Sequence, residues 1–224
     1  MKNWQITGFL AILALGFLLM SGCTTTPQPA STAQPTSALK TVLFSDDLSQ
    51  WRSEWDAVSE TSDGKIFYSG GSLHIRDNNP LTETTVQRLN KNYNDFILDI
   101  DTKLVGGSLD NWQGLYFRHD DADNYYGAAI SADGYSNIAK FANGNRQDIA
   151  GPTRSSYINT GVGATNHIHL EANKNTISLS VNGHLLSTVT DNSFKEGNVK
   201  LVANCMTSNS FTEVSFNNLV ITTI

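Results

Sequence analysis

Asp99 and Asp101 stand two residues apart in Phe96-Ile-Leu-Asp-Ile-Asp-Thr-Lys-Leu104. On a strand that spacing puts both carboxylates on one face, roughly 6 to 7 Å apart, a separation within reach of glycoside chemistry. Trp112, Tyr116, Arg118 and Tyr125 alternate with apolar residues in Trp112-Gln-Gly-Leu-Tyr-Phe-Arg118 and Tyr125-Tyr-Gly-Ala-Ala-Ile130. If Leu115 and Phe117 face a core, Tyr116 and Arg118 face outward beside Asp99 and Asp101, provided that these strands are neighbours. Tyr125, Gly127 and Ala129 then make a flat floor on which a sugar ring stacks, with Trp112 at its rim and Arg118 and the aspartates bonding hydroxyls. The plainer alternative is that Trp112 and Tyr116 cover a sheet edge while Arg118 pairs with Asp99. His167, His169 and Glu171 form a third group. Imidazoles two apart on a strand can share a zinc or copper ion, but three ligands on one straight strand rarely converge, so an outward polar face is preferred.

Other chemistry lacks its residues. There is no Gly-rich phosphate loop and no Ser/His/Asp signature, and the acidic loop Asp120-Asp121-Ala122-Asp123-Asn124 lacks the glycine of a calcium-binding EF-hand. Cys205 ends an apolar strand pattern and reads as a small buried hydrophobe.

Strands must position these groups. From Leu39 onward no stretch has helical apolar spacing, whereas several alternate with period two. Phe96, Leu98, Ile100 and Leu104 share one face, as do Ile177, Leu179 and Val181. Asn182-Gly183 signals a type I′ hairpin, and Asp133-Gly134 and Asn143-Gly144 repeat the device. Strands are expected at 41–44, 65–69, 72–76, 83–89, 95–104, 113–118, 124–131, 135–141, 145–150, 166–172, 175–181, 184–189, 198–205 and 210–222. So many strands in one chain close as two packed antiparallel sheets. Ser45 to Trp51 is the one short helical possibility, capped by Ser45-Asp-Asp.

The N-terminus is of another kind. Lys2 precedes an apolar run from Gly8 to Met20, shorter than the roughly 20 residues that span a bilayer. The run ends in Leu19-Met20-Ser21-Gly22-Cys23, which resembles the bacterial lipobox and implies a signal peptide over 1–22 and lipidation of Cys23. The competing reading is an uncleaved anchor. Residues 24–38 hold three Pro, seven Ser/Thr and no charge, the composition of a flexible tether. The expected organisation is therefore signal peptide 1–22, lipidated Cys and tether 23–38, and a single β-sandwich at 39–224, membrane-anchored in the cell envelope outside the cytoplasm. By the sorting rule of bacterial lipoproteins, Thr24 implies the outer membrane where the host has one.

The 224-residue chain carries 15 Lys and Arg against 21 Asp and Glu, and its first 22 residues include one Lys and no acid, so the remainder has a net charge of −7. That is unsuited to binding nucleic acid. At 16% charged residues and 17 Gly the composition also favours β structure over helix.

The order of elements resembles the concanavalin A-like lectin/glucanase jelly roll, in the branch with laminin G-like modules and 3-keto-disaccharide hydrolase domains. The matching pieces are Phe44-Ser-Asp-Asp-Leu-Ser-Gln-Trp51, Ser69-Gly-Gly-Ser-Leu-His-Ile75, Trp112 to Arg118 with Asp123-Asn-Tyr-Tyr126, Asn166-His-Ile-His-Leu170, Ile177 to Gly183, and Val214-Ser-Phe-Asn-Asn-Leu-Val220. The resemblance implies an all-β, antiparallel two-sheet jelly roll. It also implies a possible structural calcium held by Asp46, Asp47 and Asn217, with no other cofactor. Laminarinase-type members act through a Glu-x-Asp-x-x-Glu run, which is missing here, and hydrolase-like relatives carry a Glu-x-Gln-Ile segment where this chain reads Gly127-Ala-Ala-Ile130. The expectation is a lipid-anchored module that binds carbohydrate or a surface partner without catalysis. The alternatives are a glycoside-active enzyme using Asp99 and Asp101, and a laminin G-like adhesion module.

Overall fold

Residues whose apolar side chains alternate form two antiparallel sheets with their apolar faces together. The computed structural model describes residues 39–80, 83–207 and 210–224; the expected signal peptide, Cys23 and the expected tether lie outside the described residues. The strands are β1 (Val42–Asp46), β2 (Ser59–Glu60), β3 (Gly64–Ser69), β4 (Ser72–Asp77), β5 (Thr84–Gln87), β6 (Phe96–Gly107), β7 (Trp112–His119), β8 (Tyr125–Ser131), β9 (Tyr135–Ala142), β10 (Asn145–Arg154), β11 (Thr165–Asn173), β12 (Thr176–Val181), β13 (His184–Thr190), β14 (Asn198–Asn204) and β15 (Thr212–Thr222). The larger sheet runs β13-β12-β11-β6-β15-β4-β3-β2, with β1 also on β15, and the smaller runs β10-β9-β8-β7-β14-β5. This is the expected all-β sandwich, and every expected strand is present. The two-residue β2 is additional.

The inward faces are those the alternation marks. Phe96, Leu98, Ile100, Leu115, Phe117, Tyr126, Ala128, Ile130, Ile177, Leu179 and Val181 are all fully buried in one core. Asn182-Gly183 and Asn143-Gly144 have positive φ at both positions, as type I′ turns require. Asp133-Gly134 differs. Only Gly134 is left-handed there, and its N–H reaches Ser131 O across a three-residue loop.

Ser45 to Trp51 forms no helix. β1 runs through Asp46, whose carboxylate is buried; one oxygen accepts the Leu48 N–H at 2.9 Å and the other the Trp55 indole N–H at 3.0 Å. A carboxylate turned inward holds Leu48 at φ +60, so the segment becomes a hook instead of a helical turn.

Asp99 and Asp101 are not neighbours of Tyr116. β6 pairs with β11 and β15 in the larger sheet, while β7 lies in the smaller, so the chain changes sheets between them. The aspartates instead face the histidines of β11, Asp101 opposite His167 and Asp99 opposite His169. His167 donates through Nδ1 to Asp101 at 2.8 Å and through Nε2 to Asp99 at 3.0 Å, and His169 Nδ1 donates to Asp99 at 2.7 Å. With a carboxylate at each ring nitrogen the imidazolium form is favoured: burial opposes its charge, but the bonds to Asp101 and Asp99 outweigh that and raise the His167 pKa. Asp99 is lowered, burial again being outweighed, here by His169 and His167. Glu171 lies further along, opposite Ile97, and accepts from Asn173. The His-x-His pair thus forms an ion lattice on the outer sheet face.

Arg118 does not face outward either. Its φ of +47 breaks the alternation where β7 carries one residue more than the facing stretch of β14, and the side chain is completely buried. All five guanidinium N–H groups find acceptors: Asn94 O at 2.9 and 3.1 Å, Lys174 O at 2.8 Å, Phe194 O at 3.2 Å and the Asp95 carboxylate at 3.2 Å. Gly197 packs against this bulge, where an added Cβ would stand 2.4 Å from the backbone of Arg118 and His119.

Three outcomes are expected. Arg118→Ala strands those carbonyls in a buried site and should cost about 3–5 kcal/mol in urea unfolding. Arg118→Lys should recover little of it, because an ammonium lacks the planar fork. The His167 lattice gives a signed pH effect: its stabilisation is complete below the ordinary histidine value, about 6.5, and is lost as pH rises through the raised folded value. The melting-temperature gap between wild type and His167→Gln should therefore shrink from mildly acidic to alkaline pH; a constant gap refutes the ion-pair account.

Candidate functional site

The outer face of the smaller sheet carries a different surface, built row by row from the strand register. Gly127 on β8 lies between Tyr116 on β7 and Ala139 on β9, and the next row sets Gly114, Ala129 and Asn137 side by side. Gly127, Ala129 and Ala139 form the floor of a pocket of about 100 Å³, walled by Trp112, Tyr116 and Phe141. The polar groups at its margin are Glu83, Asn137, Arg146 and Asn204.

The floor must be small. A Cβ on Gly127 would come within 3.0 Å of the Tyr116 ring, so the missing side chain lets that ring lie down across the sheet. Tyr116 packs on Tyr125 at 4.7 Å, and Tyr125 stacks on Phe141 at 4.3 Å with 16° between planes. With Val202 these rings form a second, separate apolar cluster. His119 closes its far side against Tyr125, 5.0 Å between centroids. Burial and the nearby Lys200 push the His119 pKa down to about 4, so it is a neutral ring at ordinary pH.

Glu83, in the connection before β5, supplies the pocket's carboxylate. It is hydrogen-bonded by the Tyr116 hydroxyl and by the Asn204 amide at 3.3 Å. Burial raises its pKa, and the Tyr116 bond with the charges of Arg146 and Lys200 only partly offsets this. The Tyr116 hydroxyl is raised well above its usual range by burial and then by Glu83, so it stays a donor. Arg146 is oriented from β10 by Asp148 at 2.8 Å, which also accepts from Asn137 at 3.1 Å. A carboxylate whose charge burial disfavours, a fixed guanidinium and two amides thus converge on a small apolar floor, the usual make-up of a small-molecule site.

Of the expected ligand-binding residues, Trp112 and Tyr116 line this pocket, and Tyr125 supports it from beneath Phe141. Arg118, Asp99 and Asp101 are elsewhere. Asn137, Phe141 and Asn204 share the alternation of their strands, which places them on this face; Arg146 follows the Asn143-Gly144 turn. Glu83 carries no such signal.

The implied calcium ligands do not fit an ion that takes six to eight oxygens. Asp46 is occupied by Leu48, Trp55 and the Arg52 guanidinium, Asp47 accepts from Ser49, and Asn217 bonds Ser72 and Gly71. Among the described residues no cluster of three or more His, Cys, Asp or Glu has metal-holding geometry.

Comparison with known proteins agrees with the sandwich. Among solved structures, a carbohydrate-binding module, CBM66 from Bacillus subtilis, is 22% identical, with 75% of this chain matching 94% of that one at a TM-score of 0.52. A galectin-like protein of unknown function from the same species is 12% identical over 82% and 97% of the two chains, with a TM-score of 0.59. A GlcNAcα1-4Gal-releasing endo-β-galactosidase from Clostridium perfringens is 11% identical over 85% and 64%, with a TM-score of 0.61. At such identities these likenesses concern the fold. A search of curated proteins found no match. The model of one domain family covers residues 40–222, all but the ends of the sandwich that carries this pocket, and the chain therefore belongs to the 3-keto-alpha-glucoside-1,2-lyase-like domain family.

Proposed function

We propose that the pocket on the smaller sheet binds carbohydrate and that the domain is displayed outside the cytoplasm on a lipidated Cys23. The observation that carries this reading is the small-residue floor walled by Trp112 and Tyr116, with Glu83, Asn137, Arg146 and Asn204 around it. A sugar ring has an apolar face and a polar rim. The floor and rings suit the first, and amides, a carboxylate and a guanidinium suit the second. The tether 23–38 would hold this surface away from the membrane.

A second reading rests on Glu83. Elimination between C1 and C2 of a 3-keto glucoside, the reaction in the family's description, needs one base and not the carboxylate pair of a glycosidase. The ketone at C3 acidifies the C2 proton. Glu83 would take that proton, the C–H electron pair would become the C1–C2 double bond, and the glycosidic oxygen would leave and be protonated by water. Glu83 is the one carboxylate lining the pocket among the described residues, and its raised pKa strengthens it as a base once ionised.

A glycan array should show binding that Trp112→Ala weakens at least about tenfold, an amount within reach of one lost aromatic contact; unchanged binding in that variant overturns the site. Incubation with a 3-keto-disaccharide separates the readings. Product from wild type but not from Glu83→Gln, with binding retained, establishes the enzyme; no product from either leaves the binder. Cys23→Ala should move the protein to the soluble fraction, and retention in the membrane would mean that the apolar run itself is the anchor.

A further inference from the structure

The hook after β1 exposes a tryptophan that the core does not need. Trp51 is 49% exposed and Val58 beside it 52%, whereas Trp55, four residues on from Trp51, is 1% exposed. Leaving an indole plane and a valine in water forgoes the gain of burying them. Yet the segment is held firmly. At one end Asp46 binds Leu48 and the Trp55 indole; at the other the Asp56 carboxylate accepts the Gln87 N–H at 2.9 Å, and backbone bonds join Asp56 to Gln87 and Leu89 to Glu54. The Trp51 indole N–H donates to Asp56 O at 3.2 Å. Its one polar atom is thus taken within the protein, and what it offers to solvent is the apolar ring, already oriented.

This ring borders an open groove of about 540 Å³ between the hook and β2–β3, away from the Glu83 pocket. The groove exists because β2 is short: it pairs only with Lys65 and Ile66, leaving the Phe67–Ser69 end of that edge uncovered. Trp51 and Val58 supply an apolar plate. Gln50 and the Tyr68 ring border it, and Lys65 and Glu60 form an ion pair of 2.9 Å at the margin. The two charges cancel, so nothing there selects an anion or a cation, while both can bond hydroxyls.

We propose that this groove is a second carbohydrate subsite, which takes the flat face of a neutral pyranose on Trp51 and Val58 and its hydroxyls on Gln50, Lys65 and Glu60. Two subsites on different faces would let one domain hold two chains, or two stretches of one chain, and add their affinities through local concentration.

The test uses the full chain in detergent, with tryptophan emission titrated separately by cellohexaose, maltohexaose, xylohexaose and mannohexaose. In the Trp112→Ala protein, which leaves Trp51 as the exposed reporter among the described residues, at least one hexasaccharide should give a saturable blue shift. Trp51→Ala should remove that shift, and Val58→Asp, which alters the plate without touching the reporter, should raise the half-saturation concentration about tenfold. No shift in Trp112→Ala at millimolar sugar, or an unchanged half-saturation in Val58→Asp, overturns the proposal. So does a shift produced by phosphatidylglycerol vesicles and by none of the sugars, which would make this a lipid-facing surface. Circular dichroism of each variant guards against unfolding. The Glu83 pocket is read independently by Trp112→Ala on the array.

Discussion

A buried guanidinium must have every N–H satisfied, and much of this sandwich is arranged around that demand. Arg118 gathers carbonyls from the segment before β6, from the β11–β12 turn and from the segment before β14. Those pieces are connecting segments far apart in sequence. The charge therefore fixes one end of the sandwich more strictly than apolar contact would, since apolar contact is tolerant of small shifts. The same residue has a local effect. By turning through the left-handed region it resets the alternation of β7, so that His119 returns to the outer face and backs Tyr125. The aromatic wall of the pocket is thus referred back to a charge on the other side of its sheet.

The two outer faces have come to different uses under the same rule. On the larger sheet, Asp99, Asp101, His167 and His169 satisfy one another across β6 and β11, and Asn218 closes the set by donating to Asp101 at 2.8 Å. Such a lattice leaves little unspent hydrogen-bonding capacity for a ligand. On the smaller sheet, Glu83 is disfavoured as an anion by burial, and the floor beside it is bare. A perturbed acid next to an open apolar floor is where chemistry or recognition has something to gain.

Period two states which face a residue occupies, and so the strands, the core and the asparagine-glycine turns were legible in the sequence. It does not state which strand lies alongside. Asp99 and Asp101 were correctly placed on an outward face, but that face belongs to the other sheet, because the β6–β7 connection changes layers. Arg118 failed for a different reason: one left-handed residue inverts the parity on which the inference rests, and nothing in its type announces it. Glu83 was invisible because it sits in a connection, where no periodicity applies. Ser45-Asp-Asp looked like a helix cap, yet Asp46 satisfies an indole that only the folded core brings to it.

The floor beside Tyr116 is one glycine and two alanines, Gly127, Ala129 and Ala139. A pocket drawn by missing atoms is sized by subtraction, and the methyl groups of Ala129 and Ala139 set its depth without altering the β8 and β9 ladders beneath. Nothing in the core reads those positions, since their neighbours Ala128 and Ile138 face the other way. Ligand choice in such a domain can therefore drift one methyl group at a time while the scaffold stays the same, as a lock is re-cut without changing its barrel.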